Sequence, residues 1–135
     1  MTPLAFEDIA DRLRRWGFPP AIDGVVGIAS GGTVPAVMVA QHLGVGLKIL
    51  ALNYRDEANE PRHAEPKLLA PAPDLGVWRR VLLVDDVWVT GASWQTARAY
   101  LPAEVEVLPF VFKGKTDFAL IRDVDGCVAW PWRVY

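Results

Sequence analysis

One cysteine, Cys127, stands in a chain of 135 residues. That count excludes an intramolecular disulfide framework and any CxxC metal or redox motif. A surplus of charge is also missing: 14 Lys+Arg stand against 16 Asp+Glu, a formal net charge of -2. Nothing in that balance draws the chain to nucleic acid or to an anionic membrane, so any phosphate it holds must be gripped locally. Apolar runs such as residues 81–84 stop far short of the roughly 20 residues a membrane span needs. The opening MTPLAFEDIADRLRRW carries acids and arginines where a signal peptide needs an apolar stretch, and a cytoplasmic protein is the expectation. Neither GxxxxGKS/T nor GxGxxG occurs, so hydrolysis of nucleoside triphosphates and dinucleotide binding lack their signatures. His42 and His63 are scattered and form no metal pair.

Hydrophobic residues make up 52% of the chain and charged residues 22%, a balance unlike that of disordered sequences. The length suits a single domain over residues 1–135, able to bury roughly two-thirds of its unfolded surface. Residues 5–16 place Ile9, Leu13 and Trp16 at helical spacing with Arg12, Arg14 and Arg15 off that stripe. This predicts a short amphipathic helix stopped by Gly17, Pro19 and Pro20. Residues 25–29 predict a buried strand that enters Ser30, Gly31 and Gly32. A helix over 34–43 follows, with Pro35 in its first turn and Gly44 closing it. Further strands are predicted over 47–52, 81–84, 105–112 and 128–130, and a helix over 91–100. Strand, loop and helix alternate, which argues an α/β domain with a mainly parallel sheet. Residues 53–76 break the pattern with Pro61, Pro66, Pro71, Pro73 and mixed charges, and predict a mobile flap, about 53–77, rather than a domain boundary.

The chemistry is concentrated in Val81-Leu82-Leu83-Val84-Asp85-Asp86-Val87-Trp88-Val89-Thr90-Gly91-Ala92-Ser93. An apolar strand ends in two adjacent carboxylates, taken to face solvent at the strand end, and a Thr-Gly-Ala-Ser turn opens a helix. That turn gathers backbone N–H groups, two hydroxyls and a helix dipole at one point, which suits a phosphate monoester. Glycine lets the backbone come close to a ligand. The carboxylates, about a ribose length away, can accept hydrogen bonds from vicinal hydroxyls or hold Mg²⁺, directly or through its waters. Phosphate at one end and diol at the other describe a cradle for ribose 5-phosphate, placed where open α/β sheets bind ligands.

This segment resembles the phosphoribosyl-pyrophosphate (PRPP) motif of type I phosphoribosyltransferases. The length and the order of the other segments are similar to the bacterial xanthine-guanine branch, over roughly residues 25–132. The resemblance implies a three-layer, mainly parallel twisted sheet flanked by helices, with a flexible hood and a small C-terminal base-binding segment. It implies that Asp85 and Asp86 face the ribose hydroxyls and Mg²⁺, and that Val89, Thr90, Gly91, Ala92 and Ser93 hold the 5-phosphate. Gly27-Ile28-Ala29-Ser30-Gly31-Gly32-Thr33-Val34-Pro35-Ala36 resembles the pyrophosphate loop, in which the family often carries a non-proline cis peptide. Ser30 stands where a basic residue is expected there, which removes a charge from the diphosphate site.

Lys113, in Val111-Phe112-Lys113-Gly114, resembles the lysine that donates to the exocyclic oxygen of 6-oxopurines. Cys127-Val128-Ala129-Trp130-Pro131-Trp132 resembles the stretch that supplies the base pocket, with Cys127 or Val128 against the purine face and Val128 backbone groups at its edge. Cys127 cannot stack as an aromatic residue would, and it is expected to be buried. Trp130 and Trp132 are expected to pack or to cover a subunit interface. Val89 replaces an Asp common before Thr-Gly in 6-oxopurine enzymes, where it lies near N7 of the base. Tyr54, Arg55, Arg62 and Lys67 fall in the flap, which in the family closes over PRPP and excludes water.

Together these features imply a Mg²⁺-dependent purine phosphoribosyltransferase that acts on PRPP and a 6-oxopurine, working as a homodimer with no nucleic-acid or membrane partner. The rival reading is a regulatory module that senses PRPP or a nucleotide without turnover, suggested by Ser30 and Val89. A competence-type or otherwise unassigned relative of the phosphoribosyltransferases is disfavoured by Lys113 and by Pro131-Trp132.

Overall fold

The computed structural model describes residues 1–53 and 67–135. In chain order these form β1 (Thr2–Pro3), α1 (Phe6–Arg15), β2 (Gly24–Ala29), α2 (Thr33–Leu43), β3 (Gly46–Asn53) and β4 (Lys67–Leu68). Then follow β5 (Arg80–Val87), α3 (Ala92–Ala99), β6 (Glu106–Lys113), β7 (Ala119–Ile121) and β8 (Val128–Ala129). The main sheet runs β4-β3-β2-β5-β6-β7, parallel throughout except for β4, which is antiparallel to β3. A separate two-stranded parallel sheet pairs β1 with β8.

The two-residue period of a strand explains the layers. Val25 of β2 with Leu82 and Val84 of β5 points into a core shared with α1 and α2, where Ile9, Leu13, Ala36, Val39 and Phe110 are also buried. Val26 and Ile28 with Val81 and Leu83 point the other way, into a core closed by Ala97 of α3 and by Leu101 and Leu75. Helices therefore cover both faces of a mostly parallel sheet, the expected three-layer α/β fold. Both faces being covered, the strands read as continuous apolar runs rather than alternating ones.

Helix α1 buries Ile9 and Leu13 and turns its arginines outward. Arg12 grips Asp123 with two bonds of 3.0 and 3.1 Å, anchoring α1 to the loop before β8. Trp94 holds α3 to β5 by donating its Nε1–H to the Leu83 carbonyl at 2.9 Å. The Arg98 guanidinium donates to the carbonyls of Leu101, Pro102 and Val105, satisfying the exit of α3.

Residues 67–77, assigned to the flap on sequence, are tied to the body of the protein. Lys67 and Leu68 pair with Asn53 and Leu52, the Leu69 N–H donates to the Ala51 carbonyl at 2.9 Å, and Leu75 is buried. Their two-residue strand is too short to carry a periodic signal. Tyr54, Arg55, Arg62 and His63 lie outside the described residues.

Candidate functional site

The carboxyl ends of β2, β5 and β6 converge, and the chemistry-bearing residues lie there. Asp85 and Asp86 fall inside β5, not beyond it: Asp85 is still paired with Val111 of β6, and the strand runs on to Val87. Each carboxylate turns back on the chain. The Asp86 N–H donates to Asp85 Oδ1 and the Val87 N–H to Asp86 Oδ1, both at 2.9 Å.

The expectation that both carboxylates face solvent is corrected. Asp86 is half-buried, but Asp85 is only 8% exposed. The loop from β2 to α2 covers it: a Cβ on Gly32 would come within 2.9 Å of the Asp85 Cα. Burial, then the negative charge of Asp86, pushes the Asp85 carboxyl well above the usual carboxylate range, against the pull of the Asp86 N–H.

That same loop carries the predicted diphosphate residues. The Ala29–Ser30 peptide is cis. Gly31 presses against Asp86, since a Cβ there would lie 2.7 Å from both carboxylate oxygens, and Ser30 is exposed. Gly32 and Thr33 spend their N–H groups within the loop, on the Ile28 and Ser30 carbonyls at 2.7 and 3.1 Å. The Gly31 N–H donates to none of the described residues.

At the end of β5 the chain turns through Val87, Trp88, Val89, Thr90 and Gly91 into α3. Gly91 takes φ +81, a left-handed conformation open to glycine, and its missing Cβ leaves room for the Trp88 ring. Thr90 Oγ1 accepts the Ala92 N–H at 3.3 Å. The N–H groups of Thr90, Gly91 and Ser93 donate to none of the described residues. A contrast between helices is informative here. Helix α1 carries Glu7 and Asp8 in its first turn, and Asp8 accepts the Ala5 N–H at 3.2 Å. The first turns of α2 and α3 contain no acid. The two helix starts that flank Asp86 thus keep the unscreened positive ends that receive anions.

Beside the turn opens a cleft of about 310 Å³, in the size range of small-molecule sites. Val87, Trp88 and Val89 line it from β5, Lys113 to Thr116 line it from the end of β6, and Val124 closes it. Lys113 is paired with Val87 in the sheet, which sets the residue at the wall of the cleft. The Lys113 ammonium donates to none of the described residues, whereas that of Lys115 is engaged with Asp125 at 2.9 Å and with the Arg122 carbonyl at 3.1 Å. Thr116 Oγ1 is buried without a partner among the described residues. Trp88, Lys115, Thr116 and Val124 escaped the sequence reading. Only the closeness of Trp88 to Asp86, and of Lys115 and Thr116 to Lys113, points to them.

The C-terminal segment behaves differently from the expectation. Cys127 is exposed, not buried. Gly126 turns the chain at φ +75 and the Cys127 carbonyl accepts the Thr2 N–H at 3.0 Å, so alternation in β8 sends Val128 inward and Cys127 outward. Neither residue belongs to the cleft lining. Trp130 is buried and stacks on Trp132 with centroids 4.9 Å apart, and both pack near Phe112. They are packing residues of this chain. Among the described residues no group of three or more His, Cys, Asp and Glu is placed to hold a metal ion, and no helix is long and apolar enough to cross a membrane.

A mostly parallel sheet whose strand ends carry paired carboxylates between two acid-free helix starts defines an α/β domain with its candidate anion site at the carboxyl edge of the sheet. Residues 5–115 match the family model of the phosphoribosyl transferase domain, and the chain belongs to that family. It is 34% identical over 123 residues to the bifunctional protein PyrR of Ralstonia nicotianae, covering 85% of this chain and 70% of that one. It is 29% identical over 119 residues to the xanthine-guanine phosphoribosyltransferase of Gluconobacter oxydans, covering 81% and 67%. The fold is shared with a purine phosphoribosyltransferase from Pyrococcus horikoshii, at a TM-score of 0.67 and 22% identity over 99% of this chain and 94% of that one.

Proposed function

We propose that the protein transfers ribose 5-phosphate from PRPP to a ring nitrogen of a 6-oxopurine and releases pyrophosphate. One observation carries the reading: the diphosphate loop, the paired carboxylates and the phosphate turn meet at one strand end, with Gly31 against Asp86. In this reading the 5-phosphate sits on the N–H groups of Thr90, Gly91 and Ser93, with Val89 and Ala92 in the same turn. The Asp86 carboxylate accepts hydrogen bonds from the ribose hydroxyls, with the buried Asp85 set behind it. The diphosphate lies along Ser30, Gly31 and Gly32, drawn by the Gly31 N–H and the start of α2.

The C1–O bond to diphosphate breaks, its electron pair leaving with the diphosphate, as the C1–N bond to the base forms, and the base gives up its N–H proton to solvent. The chain's contribution is placement and fixed dipoles, so no nucleophilic side chain is required. Lys113 donates to the exocyclic oxygen of the base in the cleft. Two carboxylates with substrate phosphates make the kind of partial donor set Mg²⁺ uses. Asp86, with Asp85 behind it, would hold the ion, whose charge would offset that of the departing diphosphate. Cys127 and Val128 lie outside the cleft, with their carbonyls engaged by the Thr2 N–H and the Tyr135 hydroxyl, and take no part in holding the base in this reading. A homodimer in the cytoplasm completes the proposal, and light scattering tests the pairing.

The test is pyrophosphate release from PRPP and Mg²⁺ with guanine, xanthine, hypoxanthine and adenine. Base-dependent release with the oxopurines is expected. Binding of PRPP with no release above the base-free control would replace the transferase by the sensing module, the reading favoured by a Val89 that is 68% exposed and offers no proton acceptor.

A further inference from the structure

We propose that Trp88 is a positioning residue that fixes Lys113 relative to the phosphate turn, an inference that rests on the proposed transferase function. Trp88 follows β5 directly, and its N–H donates to the Lys113 carbonyl at 2.8 Å, one step past the last ladder pair, Val87 with Lys113. Its backbone thus pins the residue that faces the cleft. Its side chain reaches the other way. The six-membered part of the indole occupies the space that a Cβ on Gly91 would fill, at the residue whose left-handed turn starts α3.

Two further contacts fix the ring. Phe118, in the turn between β6 and β7, meets it edge-on at 4.9 Å, and Trp94, in the first turn of α3, lies 6.1 Å away. Gly114 approaches from below, where a Cβ would come within 3.1 Å of the Trp88 Cβ and 3.2 Å of its carbonyl oxygen. One residue is therefore wedged between the turn that holds the phosphate and the strand end that presents the lysine, with a glycine on each side clearing room for it.

In a reaction driven by placement, the separation of these two points matters. The sugar is tethered at its 5-phosphate, and C1 must meet a nitrogen of a base held by Lys113. A displacement of about 1 Å costs such a reaction on the order of 10²-fold. A smaller side chain at position 88 would leave a void beside Gly91 and Phe118 and let the two anchors drift independently.

The experiment is a double-mutant cycle on the full chain with PRPP, Mg²⁺ and the purine of highest turnover. Trp88→Leu is expected to lower kcat/KM for the base by roughly tenfold to hundredfold. In the Lys113→Ala background the same replacement is expected to cost less than about threefold, because the group it positions is gone. Trp88→Phe, which keeps a ring against Phe118, is expected to recover most of the loss. Equal factors with and without the Lys113 side chain would show that Trp88 only packs, and would overturn the inference. Should Trp88→Leu not fold, Phe118→Leu, which removes the edge-on support of the indole, takes its place in the cycle, and its penalty must shrink in the Lys113→Ala background. Absence of turnover by the unaltered protein would overturn the transferase reading and this inference together, whereas turnover with independent effects overturns the inference alone.

Discussion

Gly31 and Asp86 touch across the sheet: a Cβ at residue 31 would lie 2.7 Å from both oxygens of the Asp86 carboxylate. The next residue is confined differently, because a Cβ on Gly32 would meet the Ile28 and Val84 carbonyl oxygens at 2.7 Å. A side chain can swing away, but two strand carbonyls cannot. Gly31→Ala is therefore expected to fold normally and to lose about 10²-fold in kcat/KM for PRPP, through displacement of Asp86. Gly32→Ala is expected to lose about 1–3 kcal/mol of stability from overpacking. Thermal melts and pyrophosphate release on both variants check the contrast, and full turnover by Gly31→Ala would mean that the contact does not seat the substrate.

Asp85 is predicted to trade stability for function. Burial and the charge of Asp86 raise its carboxyl in the folded chain, while in the unfolded chain it titrates near about 3.9. A native value above the unfolded one means that the unfolded state releases its proton first. Stability is then full below the unfolded value and is lost as pH rises through the raised folded one. Asp85→Asn removes that loss and still accepts the Asp86 N–H. Without divalent cations or PRPP it is expected to melt a few degrees higher than the natural chain at pH 7, with the difference vanishing near pH 4, and to lose turnover. A melting temperature below that of the natural chain at pH 7 would contradict the burial argument.

Much of this was readable before any coordinates. The strands centred on Val26, Leu50, Leu83 and Phe110 and the helices around Leu13, Val39 and Gln95 are long enough for their periodicity to register, and each falls within one residue of its predicted bounds except the strand at Leu83, which runs three residues past its expected end and takes in Asp85 and Asp86. Of the short elements only β8 was readable, expected over 128–130 and found at Val128–Ala129. β1, β4 and β7 have 2, 2 and 3 residues, too few for any pattern, and they form because a neighbouring edge accepts them. Asp85 and Asp86 were placed correctly along the chain, but their unequal burial depends on a loop more than fifty residues away, which no local pattern reports. Cys127 was expected inside because free cysteines usually are. Its exposure is set by the pairing of Val128 with Thr2, a contact between opposite ends of the sequence. The cleft is legible only at Lys113 and Val89. Its remaining walls come from turns whose approach the sheet register decides.

Lys113 is expected to choose the base. An ammonium donates to an exocyclic oxygen and repels the donor edge of an amino group. Lys113→Ala should then cost roughly 10²-fold or more with guanine or hypoxanthine, by leaving a buried acceptor unpaired, and change adenine turnover little. Lys115, held by Asp125 and the Arg122 carbonyl, is the internal control, and Lys115→Ala should leave the ratio of the two bases unmoved. An equal loss on oxo and amino purines would remove Lys113 from the reading of the base.

Val89 offers a gain of function. Its side chain is 68% exposed at the lip of the cleft that holds Lys113, so a carboxylate there would stay hydrated and cost the fold little. The resemblance places an Asp at this position near N7, where it can take the proton that the base loses. General-base assistance is worth about 10²–10⁴-fold when fully developed, and a hydrated carboxylate of ordinary basicity should supply less than the low end of that range. Val89→Asp is expected to raise kcat with 6-oxopurines by about tenfold and to add an acidic limb to the pH profile as the new carboxyl protonates. The melting temperature should not move. A variant that folds and binds PRPP as the natural chain does, yet turns over no faster and shows no new limb, would place the acceptor nitrogen away from residue 89 and the proton's exit with solvent.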